Sequence, residues 1–127
     1  MEKWQTADKT VLVVEDDRKQ AAQIKKVLKK NHYDVLVAHD GLDAVEQTNR
    51  HQINLILMDV RLPFFSGFWF CNVFKQKKNT KNIPVVIVSE HLNKNNTQKA
   101  RLVGASDTVK RPFTNRRLLS VVQKNTL

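Results

Sequence analysis

A single cysteine, Cys71, excludes an internal disulfide, and no cysteine or histidine cluster has the spacing of a zinc site. A chain of this kind suits a reducing compartment, so a cytoplasmic location is expected. Glycine and proline are scarce, three of each, and no stretch reads as a linker, a repeat or the start of a second domain. No apolar run approaches the length of a membrane span, and the polar segment from Met1 to Lys9 has no signal-sequence core. Acidic residues are also few, 12 against 22 lysines and arginines, which leaves a formal charge of +10. Such a charge favours acidic partners and non-specific contact with nucleic acid. The preferred reading of the lysine blocks is plainer: solvated helix faces that keep the chain soluble.

What remains is 127 residues, enough for one domain spanning 1–127 with a polar tail over about 1–9. Thr10–Glu15, Asn54–Met58 and Pro84–Val88 are short, β-branched and almost wholly apolar, the pattern of strands covered on both faces. Tyr33–Ala38 and Asp107–Lys110 are weaker strand candidates. Between them lie helical patterns over Arg18–Asn31, Leu42–His51, Gly67–Lys78, Asn95–Val103 and Asn115–Lys124. The asparagine-rich fourth is expected to be short and mobile. Five strands alternating with five helices predict an α/β fold, a parallel five-stranded sheet with helices on both sides.

In such sheets the functional residues sit beyond the carboxyl ends of the strands. Those ends carry Glu15-Asp16-Asp17, Asp59, Ser89, and Lys110-Arg111-Pro112. Several carboxylates gathered there repel one another unless a cation lies among them, and hard oxygen donors suit magnesium. The acidic first loop also excludes a flavin-phosphate site, which needs a hydroxyl- or glycine-rich turn.

Five segments in order, VLVVEDD (11–17), DGLDAVE (40–46), LILMDVRLPFFSG (55–67), PVVIVSEH (84–91) and GASDTVKRPF (104–113), resemble the receiver domains of two-component signalling. The resemblance runs from Thr10 to about Lys124. It implies the flavodoxin-like strand order 2-1-3-4-5. It implies a phosphoacceptor at Asp59 and an acidic pair at Glu15 and Asp16. Asp16, Asp59 and the Arg61 backbone carbonyl would ligate Mg2+. Ser89 would bond the phosphoryl group, and Asp17 would be a bystander. The phosphoryl donor would be a histidine kinase or a histidine phosphotransfer protein. The output would pass through contacts with a downstream protein, or this chain is a piece of a longer regulator. The chain would be no enzyme beyond self-phosphorylation and self-dephosphorylation.

Three positions depart from the family pattern. Arg111 stands where the family has a lysine, and its planar fork is not a conservative replacement at a tight site. Lys110 would reach the pocket only through a bulge, so Arg111 is placed there instead. Glu90 follows Ser89 where a small residue is usual, and Thr108 takes the place of an aromatic. Two readings of Glu90 stay open: it pairs with Arg111 across the pocket mouth, or it faces solvent as strand alternation allows. The three departures motivate an alternative function, a pseudo-receiver that binds protein, or less plausibly nucleic acid, without phosphorylation. Finally, Phe64, Phe65, Phe68, Trp69, Phe70 and Phe74 crowd one loop and helix, more rings than one helical stripe can hide. Phe64 and Phe65 are the expected exposed pair, at a partner or homodimer surface. The four histidines share no ligand spacing, and His91 is read as a solvated loop residue near the pocket mouth.

Overall fold

The computed structural model describes residues 9–126, so the expected polar tail lies almost wholly outside the described residues. Among the described residues ten elements alternate, strand then helix. They are β1 (Thr10–Val14), α1 (Arg18–Lys30), β2 (Asp34–Ala38), α2 (Gly41–Arg50), β3 (Leu55–Asp59), α3 (Gly67–Gln76), β4 (Val85–Ser89), α4 (Lys94–Leu102), β5 (Asp107–Lys110) and α5 (Asn115–Asn125). All strand pairs are parallel, in the order β2-β1-β3-β4-β5. The expected fold class and strand order are therefore observed.

Strand alternation divides the core into two layers. Leu12, Val14, Ile56, Met58, Val85 and Ile87 point to one face and pack under α2, α3 and α4 through Ala44, Phe68, Phe70, Cys71, Phe74 and Ala100. Val11, Val13, Leu55, Leu57, Val86, Val88 and Val109 point the other way, against Ile24 and Leu28 of α1 and Leu118, Val121 and Val122 of α5. A sheet apolar on both faces has to be covered on both, which is why the central strands read as continuous apolar runs.

Each helix starts on a side-chain cap. Asp17, Asp40, Ser66, Asn93 and Thr114 accept hydrogen bonds from the backbone N–H three residues on, at 2.7–3.3 Å. Every one of these residue types is a strong N-cap former, worth about 1 kcal/mol each. The cap explains α4, which forms a regular helix despite its weak helix formers. Asparagine is poor inside a helix and good at its start, and Asn96 adds a second bond from its Nδ2 to the His91 carbonyl, at 2.6 Å. Asp17 has a structural task as the α1 cap.

Candidate functional site

The register sets the carboxyl ends of the central strands level. Val14 lies opposite Met58, Asp59 opposite Val88, and Ser89 opposite Lys110. The chain leaves β1 at Glu15, whose N–H bonds the Ala38 carbonyl at 2.9 Å, and leaves β5 at Arg111, whose N–H bonds the Ser89 carbonyl at 2.8 Å. These exits aim four loops at one cleft of about 360 Å³. Its lining includes Glu15, Asp16, Asp59, Arg61, Ser89, Glu90 and Arg111. Every residue predicted for the site is on this wall.

Within the cleft, one carboxylate oxygen each from Glu15, Asp16 and Asp59 lie within 4.8 Å of one another. Their environments differ: Glu15 is buried, Asp59 half-buried and Asp16 exposed. Burial, then the charge of Asp59, pushes the Glu15 carboxyl up to about 7, while the Asp17 N–H and the Arg111 guanidinium pull it down. Burial also raises Asp59, opposed by its hydrogen bond with Glu15, by Arg111, and by the backbone N–H groups of Arg61 and Val60. Two neighbouring carboxyls that hold a proton this readily are poised for a positive charge to displace it. Three hard oxygens converging on a point with an open side suit a small divalent cation that keeps part of its water.

A pH dependence follows from Glu15. Between about 4.5 and 7 the folded state holds more protons on this group than the unfolded chain, so stability falls as pH rises through that window. Denaturant unfolding of the metal-free protein should show a loss of about 2–3 kcal/mol attributable to Glu15 between pH 4.5 and 7.5. Glu15→Gln should flatten that slope, and an unchanged slope would assign the dependence elsewhere.

Arg111 enters the cleft and Lys110 stays exposed, as the strand alternation requires. The guanidinium Nη2 forms an ion pair with Glu15, both side chains being largely shielded from water, and its carbon sits 5.5 Å from the Phe113 ring centre. Of the two readings left open for Glu90, the solvent-facing one is observed and the pair with Arg111 is not formed. Glu90 is exposed and makes no ion pair among the described residues, because Arg111 has a buried anion within reach just after β1. An unpaired buried carboxylate is far more costly than an unpaired exposed one, so Glu15 captures the arginine. Sequence reasoning missed this partner. The available signal was the position of Glu15, directly continuing the buried run Val11–Val14. Ser89 is buried with its Oγ accepting from the His91 N–H at 3.1 Å. His39, one of the four histidines without ligand spacing, places Nδ1 2.9 Å from the Glu15 carbonyl and so steadies the turn after β1.

Residues 11–123 match the family model described as the response regulator receiver domain. The chain belongs to the response regulator receiver family of two-component signalling. Among curated proteins it is similar to protein PilG of Pseudomonas aeruginosa, 28% identical over 113 residues that make up 89% of this chain and 84% of PilG. The heme response regulator HssR of Staphylococcus saprophyticus is 27% identical over 110 residues, 87% of this chain but only 48% of HssR. Among solved structures, Vibrio cholerae chemotaxis protein CheY4 superposes with a TM-score of 0.88 at 25% identity, covering 92% of this chain and 98% of that one. The receiver domain of sensor histidine kinase PA1611 from Pseudomonas aeruginosa, solved with magnesium coordinated in its active-site cleft, gives 0.84 at 25% identity, with 92% and 96% covered. Among the described residues no helix is long and apolar enough to cross a membrane.

Proposed function

We propose that this receiver accepts a phosphoryl group on Asp59 and signals through changed contacts with a downstream protein. The observation that carries the reading is the meeting of Asp59 with Glu15 and Asp16, three oxygen donors within 4.8 Å, in a cleft walled by Ser89 and Arg111. The donor set fits Mg2+, held by Asp16 and Asp59 with the Arg61 carbonyl and with Glu15 alongside, and a bound ion there supplies the charge neutralisation that lets a carboxylate approach an anion. The magnesium-bound relative supports the same choice of metal.

The chain's own residues supply the rest. An Asp59 oxygen forms the bond to phosphorus as the phosphorus–nitrogen bond of a phosphohistidine breaks. The electron pair leaves with the imidazole nitrogen, which takes up a proton. The backbone N–H groups of Val60 and Arg61 hold the Asp59 carboxylate in place. Ser89 offers its hydroxyl hydrogen to a phosphoryl oxygen while its Oγ accepts from the His91 N–H. Arg111 supplies the positive charge that a lysine gives in the family, in a wider, forked form. The donor is a histidine kinase or a phosphotransfer protein. The chemistry is that of a phosphoacceptor, with hydrolysis of its own aspartyl phosphate as the only turnover. A second reading, binding without phosphorylation, is favoured by one observation: Arg111 is already engaged by Glu15.

Intact mass after incubation with a small acyl phosphate and Mg2+ separates the two. A single phosphoryl adduct on the wild type, absent from Asp59→Asn, is the expected result. No adduct on a folded wild-type protein overturns the phosphoacceptor reading.

A further inference from the structure

Two cavities meet at the carboxyl edge of the sheet and share a wall. One is the acidic cleft. The other, of about 400 Å³, opens between α1 and α5, and Gln20, Glu90 and Arg111 line both. Phosphoryl transfer to Asp59 makes no use of the second cavity. Its volume falls in the range of small-ligand sites, roughly 300–1,000 Å³.

The floor of this cavity is apolar and anchored. Ile24 and Val27 stand three residues apart on α1 and so share one of its faces. Leu118 faces them from α5, and Phe113 adds a ring from the turn after β5. Ile24 and Leu118 are buried in the core, and the partly buried Val27 and Phe113 pack against the same layer. Phe113 is steadied further by the Arg111 guanidinium, whose carbon sits 5.5 Å from the ring centre. A floor already held in place loses little order when a ligand settles on it.

The polar part of the wall is uncommitted. The side chains of Gln20, Gln23, Glu90 and Asn115 line the cavity and make no hydrogen bond or ion pair among the described residues. Elsewhere the amides of Asn31, Gln47, Asn96 and Asn125 are spent on backbone carbonyls. Arg111, the cation in this wall, is already paired with Glu15, so an anionic ligand finds no open partner there. Glu90 is the open charge. The net charge of +10 opposes a cation only weakly, since salt screens such fields over about 8–10 Å, whereas Glu90 stands in the wall itself. From the apolar floor, the free amides and this one carboxylate we infer that the cavity between α1 and α5 binds a small aromatic amine. Its ring lies on Ile24, Val27, Phe113 and Leu118, its ammonium pairs with Glu90, and the Gln20, Gln23 and Asn115 amides take its remaining hydrogen bonds. The site does not depend on the chemistry of Asp59.

The probe is tryptamine, titrated into isotopically labelled protein in saturating Mg2+ and followed by amide NMR. Saturable shifts of the Gln20, Gln23 and Asn115 side-chain signals are expected, and they should persist in Asp59→Asn. Glu90→Gln should weaken binding about tenfold, by removing the charge from the ammonium's partner. Gln23→Phe, which puts a ring into the open side of the cavity, should abolish it. Both positions are exposed, so unchanged circular dichroism should accompany both losses. Shifts that appear only without Mg2+ would place the amine in the acidic cleft instead. Equal binding of indolepropionate, an acid with the same ring, would remove the role of Glu90. Either result overturns the inference, as do the absence of saturable shifts and indifference to Glu90→Gln.

Discussion

Arg111→Ala should destabilise the metal-free domain by about 3 kcal/mol at pH 8, the usual scale for removing one partner of a buried ion pair. The loss should shrink as pH falls, because Glu15 already holds its proton up to about 7 and becomes neutral more readily still without the guanidinium beside it. By pH 5.5 the buried group is an uncharged acid, whose desolvation is far cheaper than that of an anion. Magnesium affinity should move the other way. Arg111 occupies the Glu15 carboxylate and lowers the negative potential of the cleft, so its removal should tighten cation binding about tenfold, or about 1.4 kcal/mol. Arg111→Lys should fall between, keeping the charge on a single flexible ammonium. Denaturant unfolding at the two pH values and calorimetric titration with Mg2+ check both halves. A variant that loses stability equally at both pH values, with unchanged metal affinity, would show that Arg111 acts by packing on Phe113.

Arg111 also marks the boundary of what the sequence made legible. The sheet was readable because both its faces are buried: strands that alternate between two apolar layers leave runs such as TVLVV and VVIVS with no polar interruption. Once the strands were placed, topology gathered Glu15, Asp16, Asp59, Ser89 and Arg111 at one edge, since parallel order brings every carboxyl end there, while their proposed roles came from the family resemblance. That Arg111 and not Lys110 enters the cleft also followed from the two-residue period of β5. Pair choice was a different matter. Glu90 is adjacent to Ser89 in sequence and both line the cleft wall, yet the pairing is decided by burial, a quantity that depends on how α1 and the β1 exit close over Glu15. Sequence carries no direct measure of it. The aromatic cluster shows the same limit. Counting rings against one helical stripe foretold that some must be exposed, and Phe64 and Phe65 are. Trp69 was not singled out, because its position depends on how α3 is rotated about Phe70.

Gly67→Ala should cost the fold about 3 kcal/mol or more and slow phosphoryl acceptance by roughly a hundredfold. Gly67 opens α3, and a Cβ built there would lie 2.0 Å from the Asp59 carbonyl oxygen and 2.9 Å from its carbon. Those atoms are backbone, so no rotamer change relieves the overlap. The helix start is also tied down by the Gly67 N–H, which bonds the Val60 carbonyl at 2.8 Å. Alanine gains about 1 kcal/mol over glycine inside a helix, too little to offset such an overlap. Either α3 backs away or the end of β3 moves, and the second option displaces the Asp59 carboxylate, the proposed acceptor. Gly41→Ala provides the contrast. Its Cβ would meet the Phe70 ring at 2.0 Å, a comparable clash, but one that falls on a side chain in the layer below the cleft. Both variants should unfold at lower denaturant concentration. Only Gly67→Ala should also show the slowed adduct formation, measured by intact mass under conditions where each variant is folded. Equal rates in the two would mean that α3 gives way and leaves Asp59 undisturbed, placing the rigidity of the acceptor in its Val60 and Arg61 N–H contacts alone.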